Sequence, residues 1–292
     1  MKLIKPSFEI WNQPAGLEGV YKQIERVGRV CYKSEDKMTE DSAKPFVDRM
    51  IKSGHGAMLE HGTVYLAMPM ETILPIRANG WGKYTENPYS KGFKVCEVDG
   101  QKRVAVTTNL RVLVENGWLR DLEYICEPTE FHERRVTVHF VCDRGVSHEF
   151  VRHRVMSFAQ ESTRYCNYSK DKFGNELTFI IPCWIEEKQE NMSLEIRDIC
   201  GGNYTELCFK ENLARAERAY FTLIKEGWKP QEARAVLPNS LKTELVVTGF
   251  TSDWKHFFGL RAIGTTGAPH PQAKELAEPL MKEFIVRKYI NN

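Results

Sequence analysis

Between Glu149 and Tyr165 the chain reads Glu149-Phe-Val-Arg152-His153-Arg154-Val-Met-Ser157-Phe-Ala-Gln160-Glu161-Ser162-Thr163-Arg164-Tyr165. Three consecutive cationic or ionisable side chains, an apolar turn and a polar run with a third arginine make poor core material and a costly plain surface. An oxygen-rich anion is the natural partner. A guanidinium stays charged, and its planar fork matches phosphate. The Gln160 to Arg164 run adds hydroxyls, backbone N–H groups and another guanidinium, which suit a second phosphate. A solvated basic face, its arginines meeting Glu149 and Glu161, is the plainer alternative.

Three further stretches carry candidate chemistry. Gly54-His55 to Glu60-His61 gathers two histidines and a glutamate, but no other ligand cluster has the spacing that a closed metal site requires, so no metal is expected. Pro230 to Pro238 encloses Arg234 in a short helix bracketed by prolines. Phe250 to Arg261 ends in an arginine whose simplest role is to meet a helix C-terminus. Ser162 has no histidine at a distance that marks an activating base, so binding is expected of it rather than attack.

These side chains need a scaffold. Gly145 as a stop, Ser147 as N-cap, and Phe150, Val151, Val155 and Phe158 at helical spacing predict a helix from about Ser147 to about Phe158. On it Glu149, Arg152 and Met156 share a side, with Arg154 between Phe150 and Phe158. A strand over Val136 to Cys142 precedes it. Earlier come a Gly16–Gly19 turn, a helix from Leu17 to Val30, a helix capped by Asp41 or Ser42 and ended by Gly54, and a strand from Thr63 to Ala67. Residues 70–135 read as loops at Asn79-Gly80-Trp81-Gly82 and Asn87-Pro88, a hairpin of Lys94 to Val98 with Arg103 to Val106 around Asp99-Gly100, and a helix from Asn109 towards Ile125. Downstream lie a strand over Leu177 to Ile181, a charged stretch at 186–202 broken by Gly201-Gly202, a helix from Tyr204 to Lys225, a strand from Thr243 to Gly249, and a last helix opened by His270 and kinked at Pro279.

At 292 residues the chain can bury a large core. Its net charge of +2 gives little long-range pull on nucleic acid, so anion binding must be local, and a groove-reading arginine helix is the less favoured class of function. The eight cysteines form no C-x-x-C pair, which fits free thiols in a reducing cytoplasm. Neither a signal peptide nor a membrane span is expected.

Arg152-His153-Arg154, seven residues, Ser162 and then Arg164 resemble the R-H-R-x7-S signature of the flavin-dependent thymidylate synthases. Gly54-His55 to Glu60-His61 resembles that family's G-H-x-x-x-x-E-H element, Ala233-Arg234 to Leu237-Pro238 its A-R-x-x-L-P element, and Phe250 to Arg261 its block ending F-x-x-L-R. Arg29-Val30-Cys31-Tyr32 resembles the segment near the flavin, although on general grounds Cys31 reads as a buried structural cysteine.

The resemblance implies methylation of dUMP to dTMP, with 5,10-methylenetetrahydrofolate as carbon donor and NADPH-reduced FAD as hydride source, in a homotetramer with shared active sites. It implies an α+β (mixed α/β) thymidylate synthase-complementing fold, a mostly antiparallel sheet flanked by long helices. Residues 1–292 would be one catalytic domain, with 70–135 an inserted lobe. Cofactor contacts fall to Arg152, His153, Arg154, His55, Glu60 and His256, and to Gln160, Phe250 and Ser252, where the family has glutamate, asparagine and arginine. Substrate contacts fall to Glu149, Arg152, Gln160, Glu161, Ser162, Thr163, Arg164 and Arg234, with Arg261 facing the uracil as the catalytic group. A flavin oxidoreductase, or an enzyme for another pyrimidine nucleotide, is the alternative that these departures keep open.

Overall fold

The computed structural model describes residues 1–70, 83–98, 100–185 and 204–291. The loop expected at Asn79 to Gly82, Asp99 of the hairpin turn and the charged stretch through Gly201-Gly202 lie outside them. The chain runs β1 (Lys2–Ile4), β2 (Ser7–Trp11), α1 (Gly16–Tyr32), α2 (Ala43–Lys52), α3 (Gly56–Leu59), β3 (Thr63–Pro69), β4 (Lys91–Val98), β5 (Gln101–Asn109) and α4 (Leu110–Glu115). It continues through β6 (Arg135–Asp143), α5 (Arg144–Phe150), β7 (Ser157–Gln160), β8 (Thr178–Ile180), α6 (Tyr204–Lys225), α7 (Pro230–Ala233), β9 (Lys242–Phe250), α8 (Thr251–Phe258) and α9 (Pro271–Val286).

Period-two alternation builds the central sheet. Val136, Val138, Phe140 and Cys142 of β6 and Leu245 and Val247 of β9 face one way, while Thr137, His139, Val246 and Thr248 face the other. The two strands pair antiparallel, β2 adds to β6 and β7 to β9, and the order is β2-β6-β9-β7. Over the first face lie α8 and α9, with Trp254, Phe257, Phe258, Leu280 and Phe284 filling the core. Against the second, α1 brings Val27, Val30 and Cys31 onto Trp11, Ala159 and Val246. The fold is mixed helix and strand with antiparallel principal sheets.

A second sheet, ordered β3-β5-β4, is antiparallel throughout. The expected hairpin is there, Val98 opposite Gln101. Val104 and Val106 of β5 and Leu110 and Leu113 of α4 share a core with Val20, Ile24, Phe46, Leu59 and Leu66 from α1, α2, α3 and β3. Asn109 caps α4 by accepting the Val112 N–H at 3.2 Å. The single helix expected to reach Ile125 instead stops after Glu115, because Gly117 takes a left-handed φ of 69°, and the chain resumes as a 3-10 turn over Leu119–Tyr124.

The helix expected over Ser147 to Phe158 requires correction. Asp143, not Ser147, is the cap: its Oδ1 accepts the Val146 N–H at 2.7 Å, and Ser147 Oγ donates to the Arg144 carbonyl inside α5. The helix ends at Phe150, a turn follows, and Ser157–Gln160 is a strand. Val151 and Val155 are 36% and 55% exposed, so the apparent apolar stripe is not a core stripe. Pairing of Phe158 with Val247 and Ala159 with Val246 extends the sheet, which a helix could not do. Arg154 therefore does not lie between Phe150 and Phe158 on a helix. Arg152 and Arg154 stand exposed on a turn, and only His153 turns inward.

The aromatic layer under α9 gives a direct test. Phe284→Ala removes a ring that is 0% exposed and is expected to cost about 3–5 kcal/mol in denaturant unfolding. Val286→Ala, at a position 80% exposed, is expected to stay within about 0.5 kcal/mol.

Candidate active site

After α8 the chain makes a π-helical turn, Gly259–Ile263. The wider turn aims Arg261 back at α5. Its Nη1 donates to Glu149 Oε2 at 2.6 Å, its Nη2 to the Glu149 carbonyl at 2.8 Å, and its Nε to His153 Nε2 at 3.3 Å. Arg261 thus meets a carbonyl in the last turn of α5, as expected of a lone arginine, and adds the Glu149 carboxylate and the His153 ring. Because Nε2 accepts, the His153 proton belongs on Nδ1. Burial first, then the charge of Arg261 and the neighbouring His256, push the His153 pKa down to about 4. The ring is neutral at physiological pH. His256 meets it edge to face at 5.7 Å, and Phe257 packs at 4.9 Å. The guanidinium groups of Arg152 and Arg154, by contrast, make no hydrogen bond or ion pair among the described residues.

Beyond the turn, β7 delivers the polar run. Gln160 Nε2 donates to Ser147 Oγ at 2.9 Å and Thr243 Oγ1 at 3.2 Å, so its amide is engaged inside the fold. Glu161 is buried, accepting from Lys242 Nζ at 2.8 Å and Tyr168 OH at 3.1 Å. Lys242 also reaches Glu244 at 2.6 Å, which accepts from Lys33 at 2.7 Å and His139 at 2.9 Å. Burial alone would raise the Glu244 pKa, but His139 and the two ammonium groups hold it far below the usual carboxylate range. Backbone bonds from Glu161 N to Glu244 O and from Ser162 N to Cys31 O tie the next residues down.

What this anchor presents is a polar face. Ser162 Oγ accepts the Arg164 N–H at 3.3 Å, and Thr163 Oγ1 accepts from Arg234 Nη1 at 3.3 Å. Arg164 Nε donates to Gln231 Oε1 at 3.3 Å, and its guanidinium lies 5.3 Å from the Tyr165 ring centre. The signature and the short proline-flanked helix, far apart in sequence, therefore meet.

The remaining expected residues lie in another neighbourhood. Glu60 pairs with Arg111, and its carbonyl accepts from Arg135 Nη1 at 2.9 Å. Arg135 also donates to Ser157 Oγ at 3.2 Å and lies 5.4 Å from the Phe250 ring centre. Desolvation brings its pKa down to about 10, leaving it charged at neutral pH. Lys91 Nζ reaches Ser252 Oγ at 2.6 Å and Asp253 Oδ1 at 3.0 Å, while the Ser252 N–H donates to Glu133. His55 is exposed at the start of α3. No hydrogen bond among the described residues links His55 or Ser252 to Arg152 or Arg154.

Sequence reasoning missed Arg135, Lys91 and the Lys33, Lys242 and Glu244 network. The i, i+2 spacing of Lys242 and Glu244 on one strand face was the available signal. Cys31 fits its structural reading: burial raises its thiol pKa to about 11, and its Sγ lies 3.9 Å from Met58 Sδ.

The depressed His153 pKa has a measurable consequence. An imidazole at 6.5 when unfolded and about 4 when folded takes up its proton first in the unfolded state. Its stabilising contribution is full above 6.5 and is lost as pH falls through about 4. Buried His61, lowered to about 3, acts with the same sign. Unfolding free energy measured from pH 7 to 4 is expected to fall less steeply in His153→Gln than in the parent, the His61 slope remaining in both.

A family model described as thymidylate synthase complementing protein matches residues 101–287. The flavin-dependent thymidylate synthase of Pyrococcus abyssi is 32% identical over 120 residues, 41% of this chain and 43% of that protein. That of Mycolicibacterium gilvum is 36% identical over 121 residues, 41% and 46% of the two chains. These matches reach less than half of either relative's length. That of Corynebacterium aurimucosum is 24% identical over 276 residues, 93% of this chain and 78% of its own. A crystal structure of a UMP/dUMP methylase PolB from Streptomyces cacaoi bound with 5-Br dUMP aligns at a TM-score of 0.44 and 18% identity, covering 98% of this chain and 93% of that one. The family match alone spans more than half of the residues, and the chain belongs to the thymidylate synthase complementing protein family.

Proposed function

We propose that this protein methylates dUMP to dTMP, taking the carbon from 5,10-methylenetetrahydrofolate and the hydride from FAD reduced by NADPH, on a thymidylate synthase-complementing fold. The observation that carries the reading is Arg261, from the C-terminal block, held by Glu149 and His153 of the signature segment. Two stretches that resemble separate elements of one enzyme family converge on one guanidinium.

Arg261 faces the uracil, where its charge stabilises negative charge developing at N3 or the carbonyl oxygens. Glu149 and His153 hold it in one orientation, so little reorganisation is needed during reaction. Neutral His153 serves as an acceptor. Ser162, Arg164 and Arg234 grip the nucleotide phosphate, and Thr163 positions Arg234. Glu161, both of whose oxygens accept within the fold, shapes the site through Lys242, while Gln160, its Nε2 held by Ser147 and Thr243, has its Oε1 left for a ligand.

FAD supplies the redox chemistry when bound. The exposed guanidinium groups of Arg152 and Arg154 fit an anionic cofactor, with His153, His256 and His55 as ring contacts. Glu133 and Asp253 beside Lys91 oppose a pyrophosphate at Ser252, so that contact falls to Arg152 and Arg154. A homotetramer with shared sites is supported by Val155, next to Arg154, and Tyr165, next to Arg164, whose side chains are 55% and 58% exposed. Among the described residues no helix is long and apolar enough to cross a membrane, and we place the protein in the cytoplasm.

Two substitutions test the assignments. Arg261→Ala is expected to lower dTMP formation by roughly a hundredfold to a thousandfold while bound flavin, read from its absorbance, is retained. Loss of flavin with normal dUMP affinity would reverse the role. Ser162→Ala is expected to weaken dUMP binding by about threefold to tenfold with turnover still measurable. Abolished turnover at intact dUMP affinity would make Ser162 a reacting group instead.

A further inference from the structure

Arg164 has two sides. Towards one lie Ser162, Thr163 and Arg234, proposed above to hold the nucleotide phosphate. Towards the other opens a cleft of about 380 Å³ lined by Arg164, Tyr165, Asn167, Lys170, Lys229 and Gln231, which neither Ser162 nor Arg234 lines. With Pro230, which also lines it, these make seven side chains, of which three are cationic and none is a carboxylate. The ammonium groups of Lys170 and Lys229 make no hydrogen bond or ion pair among the described residues. Arg164 spends only Nε on Gln231 and rests over Tyr165, leaving both Nη groups free among those residues. Its guanidinium is therefore pre-oriented with donors to spare.

Charge matching points to a second anionic group. A nucleoside monophosphate brings about two negative charges, which Arg164 and Arg234 already balance. Lys170 and Lys229 add two further positive charges on the far side of Arg164. We propose that this cleft is a second phosphate subsite, so that pyrimidine nucleoside diphosphates and triphosphates bind with a terminal phosphate against Lys170 and Lys229 and compete with the monophosphate substrate. Nucleotides carrying more phosphate than the substrate thereby act as inhibitors at the nucleotide site. The inference rests on the proposed dUMP reading, and its phosphate chemistry can be measured apart from it.

The test compares deoxyuridine monophosphate, deoxyuridine diphosphate and inorganic pyrophosphate by calorimetry on the full chain with bound flavin and on Lys170→Ala/Lys229→Ala. Both lysines are exposed, so folding is not at issue. The diphosphate is expected to bind the parent roughly fivefold to tenfold tighter than the monophosphate at low salt. That advantage disappears in the double variant while monophosphate affinity stays within about twofold, and it shrinks as salt shortens the screening length to about 8 Å. A diphosphate no tighter than the monophosphate, an advantage that survives the double substitution, or a parallel loss of monophosphate binding overturns the subsite. Pyrophosphate separates the two readings. If it binds the parent and not the variant while dUMP binds neither, the subsite stands and the dUMP assignment falls. If dUMP binds and pyrophosphate does not, the subsite falls alone.

Discussion

The candidate site depends on a shielded charge network centred on Lys242. Its ammonium bridges Glu161, at the head of the Ser162 to Arg164 run, and Glu244 on its own strand, while Glu244 also receives Lys33 from the end of α1 and His139 from the adjacent strand. Each ion pays for leaving water, and the network is tolerable only because every carboxylate has more than one donor. Removing one member strands the others, so the arrangement acts as a geometric lock more than as a source of net stability. Lys33 sits in a left-handed conformation at φ 46°, which ends α1 and turns its side chain towards Glu244.

Around that lock the site divides in two. The Arg261, Glu149 and His153 cluster sits under the aromatic layer of α8 and α9, whose Trp254 also donates to the Val136 carbonyl. The Ser162, Arg164 and Arg234 cluster sits beyond the sheet edge that β7 makes with β9. One rigid strand pair serves both: β9 carries Lys242 and Glu244 at one end and leads into α8 at the other. Positioning by a paired strand is stiffer than by a loop, which suits groups that must keep fixed spacing to a ligand.

Within the segment between residues 70 and 135, the described residues 83–98 and 100–135 are bound into this frame. β5 lies between β3 and β4, and its apolar side chains share a core with α1, the helix that also backs the central sheet. Lys91 crosses from β4 to Ser252 and Asp253 at the start of α8. The hairpin thus touches the segment that leads to Arg261, and a change in one is felt by the other.

Strands β3 to β6, β8 and β9, the hairpin, the long helices and the arginines with an appetite for anions were legible in the sequence, since each follows from local periodicity, turn chemistry or the charge a side chain must carry, whereas β1 and β2 were not read. The signature segment was misread because Phe150, Val151, Val155 and Phe158 satisfy helical spacing while sheet pairing with β9, a partner more than eighty residues away, rewards a strand over Ser157–Gln160. Which arginines stay free is likewise a tertiary matter: Arg261 is claimed by Glu149 and Arg135 by a carbonyl and two hydroxyls, while Arg152 and Arg154 remain uncommitted among the described residues. Sequence fixes how many charges and hydroxyls a chain owns. Folding decides their partners, because a hydrogen bond needs its two ends within about 3 Å, and residues a hundred positions apart reach that distance only through packing.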